Sequence, residues 1–325
     1  MAEPIVVKLA RPAMATEFEI LLWGEDRSYL RSVGEEALDE IEAVERKLSL
    51  FVPTSDIAAV NARAARQPVR VAAEVFDLLK RAVALSRESG GAFDITTAPL
   101  SRCWGFHARE GRIPTEEEIA EASSLVGADN IFFCEYSKSI RLAKVGMSID
   151  LGGIGKGYAV ERAAGIVREH DVPGGLIHGG TSTIYAIGAP PDREGWPIGI
   201  VNPLDPTERL AVVHLKDQAL STSRGTGKCF EVGGRRYGHI LDPRTGYPAE
   251  GILSATAICP SPTDADALST AFAIFGIEET KRYCDDHPSA GAIVFHDEEH
   301  NILPQMTLCG VIAEEAVEKC LIAAE

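Results

Sequence analysis

Between Asp150 and Tyr158 the chain reads DLGGIGKGY. Asp150, Lys156 and Tyr158 carry ionisable groups, and Gly152, Gly153, Gly155 and Gly157 leave the backbone around them bare. Glycines that open a helix let an anion approach the free amides of the first turn, and a lysine adds a mobile positive charge. The spacing is neither the dinucleotide-binding GxGxxG nor the phosphate-binding GxxxxGK[ST]. Phosphate binding therefore fits the segment, and so does a tight strand–helix corner with Lys156 in solvent.

A second cluster lies in SPTDADALSTAFAIFG. Asp266 and Thr270 are four residues apart and share one face of a helix. A carboxylate and a hydroxyl so placed suit a hard cation, which prefers oxygen ligands. Capping by Ser261 or Thr263, with acids favoured in the first turn by the helix dipole, accounts for the same residues. In YGHILDPRTGYP, His239 ends a strand before a turn; an imidazole titrating near neutrality can accept a proton there, or simply bond to the turn. In GGAFDITTAPL, Phe93 beside Asp94 offers an apolar face and a polar group to a flat heterocycle, or a core phenylalanine and a helix cap. Met14, Asn61 and Tyr185 stand alone and read as structural on their own.

The elements that must position these groups follow from periodicity. Residues 5–9 and 17–23 read as strands. Leu30, Val33, Ala37, Ile41, Val44 and Leu48 make one apolar helical stripe, stopped by Pro53. A second helix runs from about Ala72 to Ser89 and ends at Gly90–Gly91. Residues 108–125 form a polar excursion with a short helix. Residues 148–170 read as strand, glycine turn and helix, and most segments from 174 to 260 as strands. DADALSTAFAIFG is a helix stopped by Gly276, GAIVFHDEEHNIL a hairpin, and the last twelve residues a closing helix. No internal repeat or long linker interrupts the chain. Helices segregated from antiparallel strands predict an α+β fold rather than a doubly wound sheet. The 325 residues fit one domain over 1–325 or two interlocked subdomains.

Composition narrows the partners. The net charge of −16 repels nucleic acid phosphates and anionic membranes, so neither is expected as a partner, and an anionic ligand needs a local positive site or a metal ion. Seven cysteines without a CxxC pair argue against a disulfide framework or a zinc site. The first residues show neither a secretory leader nor a lipidation cysteine, and no apolar run is long enough to span a membrane. A cytoplasmic location and a monomer are the expectations.

MATEFEI, ERKLSLFVPTSDIAAVN, GGAFDITTAPL, IDLGGIGKGYAVE, GGTSTIYAIG, WPIGIVNP, ALSTS, HILDPRTGYP and DADALSTAFAIFG follow one another from Met14 to Gly276. In this order they resemble the FAD:protein FMN transferases, the ApbE family. The resemblance implies a T-fold-like α+β architecture with mixed or antiparallel sheets. It implies that FAD and Mg²⁺, with Mn²⁺ as an alternative, are bound, and that FMN passes to a serine or threonine in a short motif of an acceptor protein, releasing AMP. Asp266 and Thr270 match the family's metal-binding side chains, and Gly153 the residue that gives its carbonyl to the metal. Met14, Asn61, Ala92, Phe93, Asp94, Asp150, Lys156 and Ile240 match flavin-dinucleotide contacts, and His239 the catalytic base. On this reading the glycines of 152–157 let the corner pack against FAD.

The chain departs from the family's pattern at three places. Met-Ala-Thr at 14–16 replaces Met-Gly-Thr, Thr222-Ser223-Arg224 replaces Thr-Ser-Gly, and Thr-Ser-Thr after Gly180 stands where a carboxylate or amide is commoner. Arg224 is placed to contact a phosphate or to narrow the acceptor groove. An FAD pyrophosphatase, with water in place of the acceptor hydroxyl, and an FAD-binding protein without turnover are the alternative readings.

Overall fold

The computed structural model describes residues 4–108, 110–225, 227–297, 304–312 and 317–319. Apolar alternation builds its first hairpin. In β1 (Ile5–Ala13) Val7 and Leu9 are buried, and in β2 (Thr16–Gly24) Phe18, Ile20 and Leu22 are fully so. Asp26 then caps α1 (Arg27–Leu48), its side chain accepting from the amides of Ser28 and Tyr29. The buried stripe of α1 contains the six apolar positions expected from periodicity. The chain continues through α2 (Asp56–Arg63), β3 (Val69–Arg70), α3 (Ala73–Glu88), α4 (Ala98–Cys103), α5 (Glu116–Ser123), β4 (Ile131–Cys134) and β5 (Ser139–Leu142). After α6 (Gly155–Glu169) come β6 (Gly174–Gly179), β7 (Thr183–Ile187), β8 (Trp196–Val201), β9 (Arg209–Leu215), β10 (Ala219–Arg224), β11 (Cys229–Val232), β12 (Arg235–Gly238) and β13 (Ile252–Cys259). The described chain ends with α7 (Pro262–Asp286), β14 (Gly291–His296), β15 (Gln305–Gly310) and β16 (Val317–Lys319).

Eight strands form one sheet in the order β1-β2-β6-β7-β10-β13-β14-β15, each neighbouring pair antiparallel. Helices α1, α6 and α7 pack on one face, where the largest core is built from Phe18, Ile20, Ile41, Ala159, Phe272 and their neighbours. On the other face Leu176, Leu220, Ile258 and Ile293 meet Ile198, Ile200 and Val213 from a second sheet, ordered β16-β9-β8. A satellite core of Leu100, Trp104, Ile119, Ala122 and Leu241 supports α4 and α5. This is the expected α+β arrangement: helices and a small sheet cover opposite faces of one antiparallel sheet. Among the described residues no helix is long and apolar enough to cross a membrane.

Four local readings change. The strand expected at the start of 148–170 is absent: no strand lies between β5 and α6. Residues 317–319 of the expected closing helix are a strand, and the rest of those last twelve residues lie outside the described residues. Glu318 pairs with Val212, so β16 covers an edge of β9 that would otherwise leave its ladder groups unpaired. The expected hairpin is real, but its second strand begins at Gln305, and 298–303 lie outside the described residues. Gly276, at φ 73° and ψ −171°, interrupts α7 as expected, yet helix resumes beyond it to Asp286.

The β1–β2 turn has only two residues, Met14 and Ala15, between the paired Ala13 and Thr16. Their φ values are 50° and 58°. Such short hairpins need a left-handed backbone, which matches the right-handed twist of the strands and favours glycine. Ala15 therefore sits where its Cβ costs roughly 1–2 kcal/mol, partly offset by its lower unfolded-state entropy. Ala15→Gly is expected to raise the unfolding free energy by roughly 0.5–1 kcal/mol. A shifted denaturant midpoint at constant m-value would show this; an unchanged or lower midpoint would refute the strain.

Candidate functional site

The glycine corner is held from three sides. Asn61 on α2 donates to the Ile149 carbonyl (2.9 Å) and accepts from its amide (2.7 Å), while the Asp150 amide donates to Ile95 (2.7 Å). The chain then turns as Asp150 Oδ1 accepts from the Gly152 amide at 2.8 Å. Helix α6 starts without a side-chain cap. Of the amides at its start, Gly155 donates to Leu151 (2.7 Å) and Gly157 to Asp266 Oδ2 (2.9 Å). The first-turn anion cradle that the glycines suggest is thus partly spent on protein acceptors.

What the glycines admit is the neighbouring helix. A Cβ on Gly157 would lie 2.2 Å from the Pro262 carbonyl oxygen and 2.7 Å from the Asp266 Cβ. One on Gly153 would meet Thr270 Oγ1 at 3.3 Å and the Phe93 ring at 3.4 Å. The three candidate cation ligands, Gly153, Asp266 and Thr270, therefore converge where α6 and α7 touch, with Phe93 as the apolar wall.

Asp266 is only 4% exposed and has no ion-pair partner among the described residues. Besides the Gly157 amide it faces two hydroxyls, Thr183 Oγ1 and Ser221 Oγ, each 3.1 Å from Oδ1. These belong to register partners on β7 and β10. Ser223, two residues along β10, bonds with Ser269 (2.9 Å) and Thr270 (3.2 Å). The carboxylate is thus bonded only to neutral donors, and a cation would supply the positive partner that no side chain among the described residues provides. No cluster of three or more His, Cys, Asp or Glu able to hold a metal occurs among the described residues. One carboxylate, one hydroxyl and backbone oxygen fit Mg²⁺ or Mn²⁺, which commonly complete their shells with water and phosphate oxygens.

The remaining candidates occupy the surroundings. Lys156 is partly exposed, its Nζ 3.5 Å from the Gly152 carbonyl. Its charge reaches His239, whose imidazole pKa lies below the ordinary value because of burial first, with Lys228 and Lys156 adding repulsion. His239 follows β12; Nδ1 is 3.1 Å from the Lys228 carbonyl, so Nδ1 carries the proton and Nε2 the lone pair. Asp94 is mainly structural in placement: Oδ1 accepts from the Thr96 amide and hydroxyl (2.7 and 2.6 Å), Oδ2 from the Ala128 amide (2.8 Å). Burial nonetheless raises its pKa. Ala92 and Ile240 are buried; the Ile240 carbonyl accepts from Ala249. Met14 lies in the β1–β2 turn, its amide on Glu45 (2.8 Å), and neighbouring Thr16 packs on Gly180. Tyr185 is a structural residue whose hydroxyl accepts from Arg168, and Tyr158 is buried in the helical core.

Sequence reading missed Thr183 and Ser221, which only strand register brings to Asp266. Their available signal was the run of hydroxyls on a central strand, Ser221 and Ser223 alternating toward one face. It also missed Phe51, 77% exposed beside His107, whose Nε2 is 3.7 Å from Asp150. An exposed aromatic whose neighbouring imidazole faces a carboxylate gives apolar surface to a planar ligand.

A family model described as the ApbE family matches residues 14–294. A Treponema pallidum protein named FAD:protein FMN transferase is 30% identical over 279 residues, covering 81% of this chain and 77% of that protein. One of the same name from Haemophilus influenzae is 29% identical, covering 84% and 82%. The crystal structure of the ApbE protein from Thermotoga maritima superposes with a TM-score of 0.84 at 31% identity, covering 94% of this chain and 97% of that one. The apo flavinyl transferase ApbE of Pseudomonas stutzeri gives 0.82 at 28% identity, covering 95% and 96%.

The depressed His239 pKa makes a prediction about stability. Folding favours the neutral ring, so its contribution is present above the unfolded pKa, near 6.5, and is lost as pH falls below it. His239→Gln should therefore narrow the loss of stability between about pH 7 and 5 relative to the parent. Equal pH slopes for the two proteins, or an imidazole titrating above 6.5 by NMR, would contradict the burial effect.

Proposed function

The chain belongs to the ApbE family, and on that premise we propose that it transfers FMN from FAD to a serine or threonine hydroxyl of an acceptor protein, releasing AMP. The observation that carries the proposal is the convergence of Asp266, Thr270 and Gly153 at the α6–α7 contact: a buried carboxylate without a cationic partner among the described residues. A donor set this small leaves coordination positions for the pyrophosphate of FAD. Mg²⁺ or Mn²⁺ bound there supplies charge neutralisation to that pyrophosphate.

The protein's own residues then have distinct tasks. Asp266 and Thr270 would hold the cation, oriented by the Gly157 amide and the hydroxyls of Thr183, Ser221 and Ser223. Lys156 offers its charge to phosphate oxygens as the acceptor oxygen attacks the FMN-side phosphorus and the bond to the AMP phosphate breaks. Phe93 and the exposed Phe51 give apolar surface to the flat rings, and Asp150 a hydrogen-bond acceptor at their edge. His239 takes the acceptor's proton at Nε2, since its Nδ1–H is committed to Lys228. The low basicity conferred by burial keeps that nitrogen unprotonated at neutral pH.

Purified protein incubated with FAD and Mg²⁺, with and without an acceptor domain bearing a threonine motif, tests the reading through AMP release and acceptor mass. An FMN-sized mass gain abolished by EDTA is expected. FMN and AMP formed without acceptor would make the protein a pyrophosphatase, and intact FAD in every tube a binding protein. His239→Ala should bind FAD as the parent does yet lose about 10²–10⁴ in rate. Asp266→Ala should abolish the tightening of FAD binding by Mg²⁺, because a cation held there would also attract the pyrophosphate. Transfer at parental speed by His239→Ala would remove the base from the mechanism.

A further inference from the structure

We propose that Arg81 is a positioning residue for the cation site, setting the height at which α7 presents Asp266 to α6. The inference rests on the cation reading above and adds a residue that touches none of the expected ligands. Arg81 projects from α3 and reaches two other helices. Its Nε donates to Asp264 Oδ1 and its Nη1 to Glu161 Oε1, both at 2.8 Å, and Nη2 donates to Ser261 Oγ.

Each acceptor is itself part of the α6–α7 contact. Ser261 is the N-cap of α7: its hydroxyl oxygen accepts from the Asp264 amide (3.1 Å) and its proton goes to Glu161 Oε2 (2.7 Å). With the Arg81 bond, the donor and both lone pairs of that hydroxyl are in use. Glu161 Oε2 also accepts from the Thr263 amide at 3.3 Å. The first turn of α7 is thus tied to α6 by Glu161 and to α3 by Arg81. Burial opposes charge on both partners, but their mutual bonds prevail, raising the Arg81 pKa and lowering that of Glu161.

The clamp stands one helical turn from the cation site. Glu161 lies four residues after Gly157 on α6, and Asp264 two residues before Asp266 on α7. At Gly157 the helices meet so closely that no Cβ fits against Pro262. Because helices move as rigid rods at this length, a displacement at Glu161 and Asp264 carries to the Gly157–Asp266 bond. Without Arg81 the two carboxylates face each other unneutralised and push the helices apart there. Lysine cannot substitute: three divergent acceptors need the planar guanidinium fork, whereas an ammonium is a point charge.

Two variants separate positioning from mere stabilisation. Arg81→Lys keeps the charge and loses the fork. Arg81→Met combined with Glu161→Gln and Asp264→Asn removes the charges together, so no uncompensated carboxylate remains to unfold the protein. Mn²⁺ binding is followed by the EPR signal of the free ion, alongside the melting temperature and FAD affinity in EDTA. We expect Mn²⁺ dissociation constants about ten- to a hundredfold above the parent's in both variants. FAD affinity in EDTA should stay within about twofold, and the triple variant should regain melting temperature without regaining Mn²⁺ affinity. Mn²⁺ affinity within about twofold of the parent, or restored together with the melting temperature, overturns the proposal. A parent protein that binds no Mn²⁺ with or without FAD would instead sink the cation reading itself.

Discussion

The bond from the Gly157 amide to the Asp266 carboxylate is the contact around which the site is built. A carboxylate this buried needs hydrogen-bond donors in place of the water it has lost. One donor comes from the backbone of α6, which demands that the helices touch. That demand removes the side chain from position 157, since even a methyl group would overlap the Pro262 carbonyl. The same approach brings Gly153 against Thr270 and Phe93, so a single close crossing brings the candidate cation ligands and the apolar wall together.

The sheet supplies the second constraint. Thr183 and Ser221 are opposite one another on β7 and β10, and their hydroxyls close on Asp266 from below the helices. Hydroxyls inside a core are tolerated because each finds a partner, and here the partner is the Asp266 carboxylate. Ser223 extends the same face of β10 to Thr270, which ties the site to the centre of the eight-stranded sheet. A site resting on a central strand and two packed helices is less deformable than one carried on loops. Lys156 and His239 lie instead at a helix start and just beyond a short hairpin.

Much of this was legible in the chain. The apolar stripe of α1, the break in α7 at Gly276 and the antiparallel, helix-segregated plan followed from periodicity and turn residues, although helix resumes after that break. The nine ordered segments carried the family. Other features were not legible. The expected closing helix, rich in good helix formers, gives a strand at 317–319 because the edge of β9 offers it hydrogen bonds. The short α2 and α4 lacked enough turns to declare a period. The glycines looked like a cradle for phosphate, but at 157 they accommodate α7.

By itself the sequence determined which side chains were available and along which local elements they ran: Asp266 and Thr270 on one helical face, His239 at a strand end, glycines at a helix start. Those are properties of spacings shorter than one element, where backbone geometry alone fixes the outcome. Only the tertiary structure decided what each side chain faces. Thr183, Ser221 and Gly157 come from separate segments and reach one carboxylate through sheet register and helix crossing. Asn61 and Asp94 spend their polar atoms on backbone from Ile149 and Ala128 for the same reason. Long-range packing selects among the partners that local spacing leaves open, because only the folded chain fixes the distances over which hydrogen bonds act.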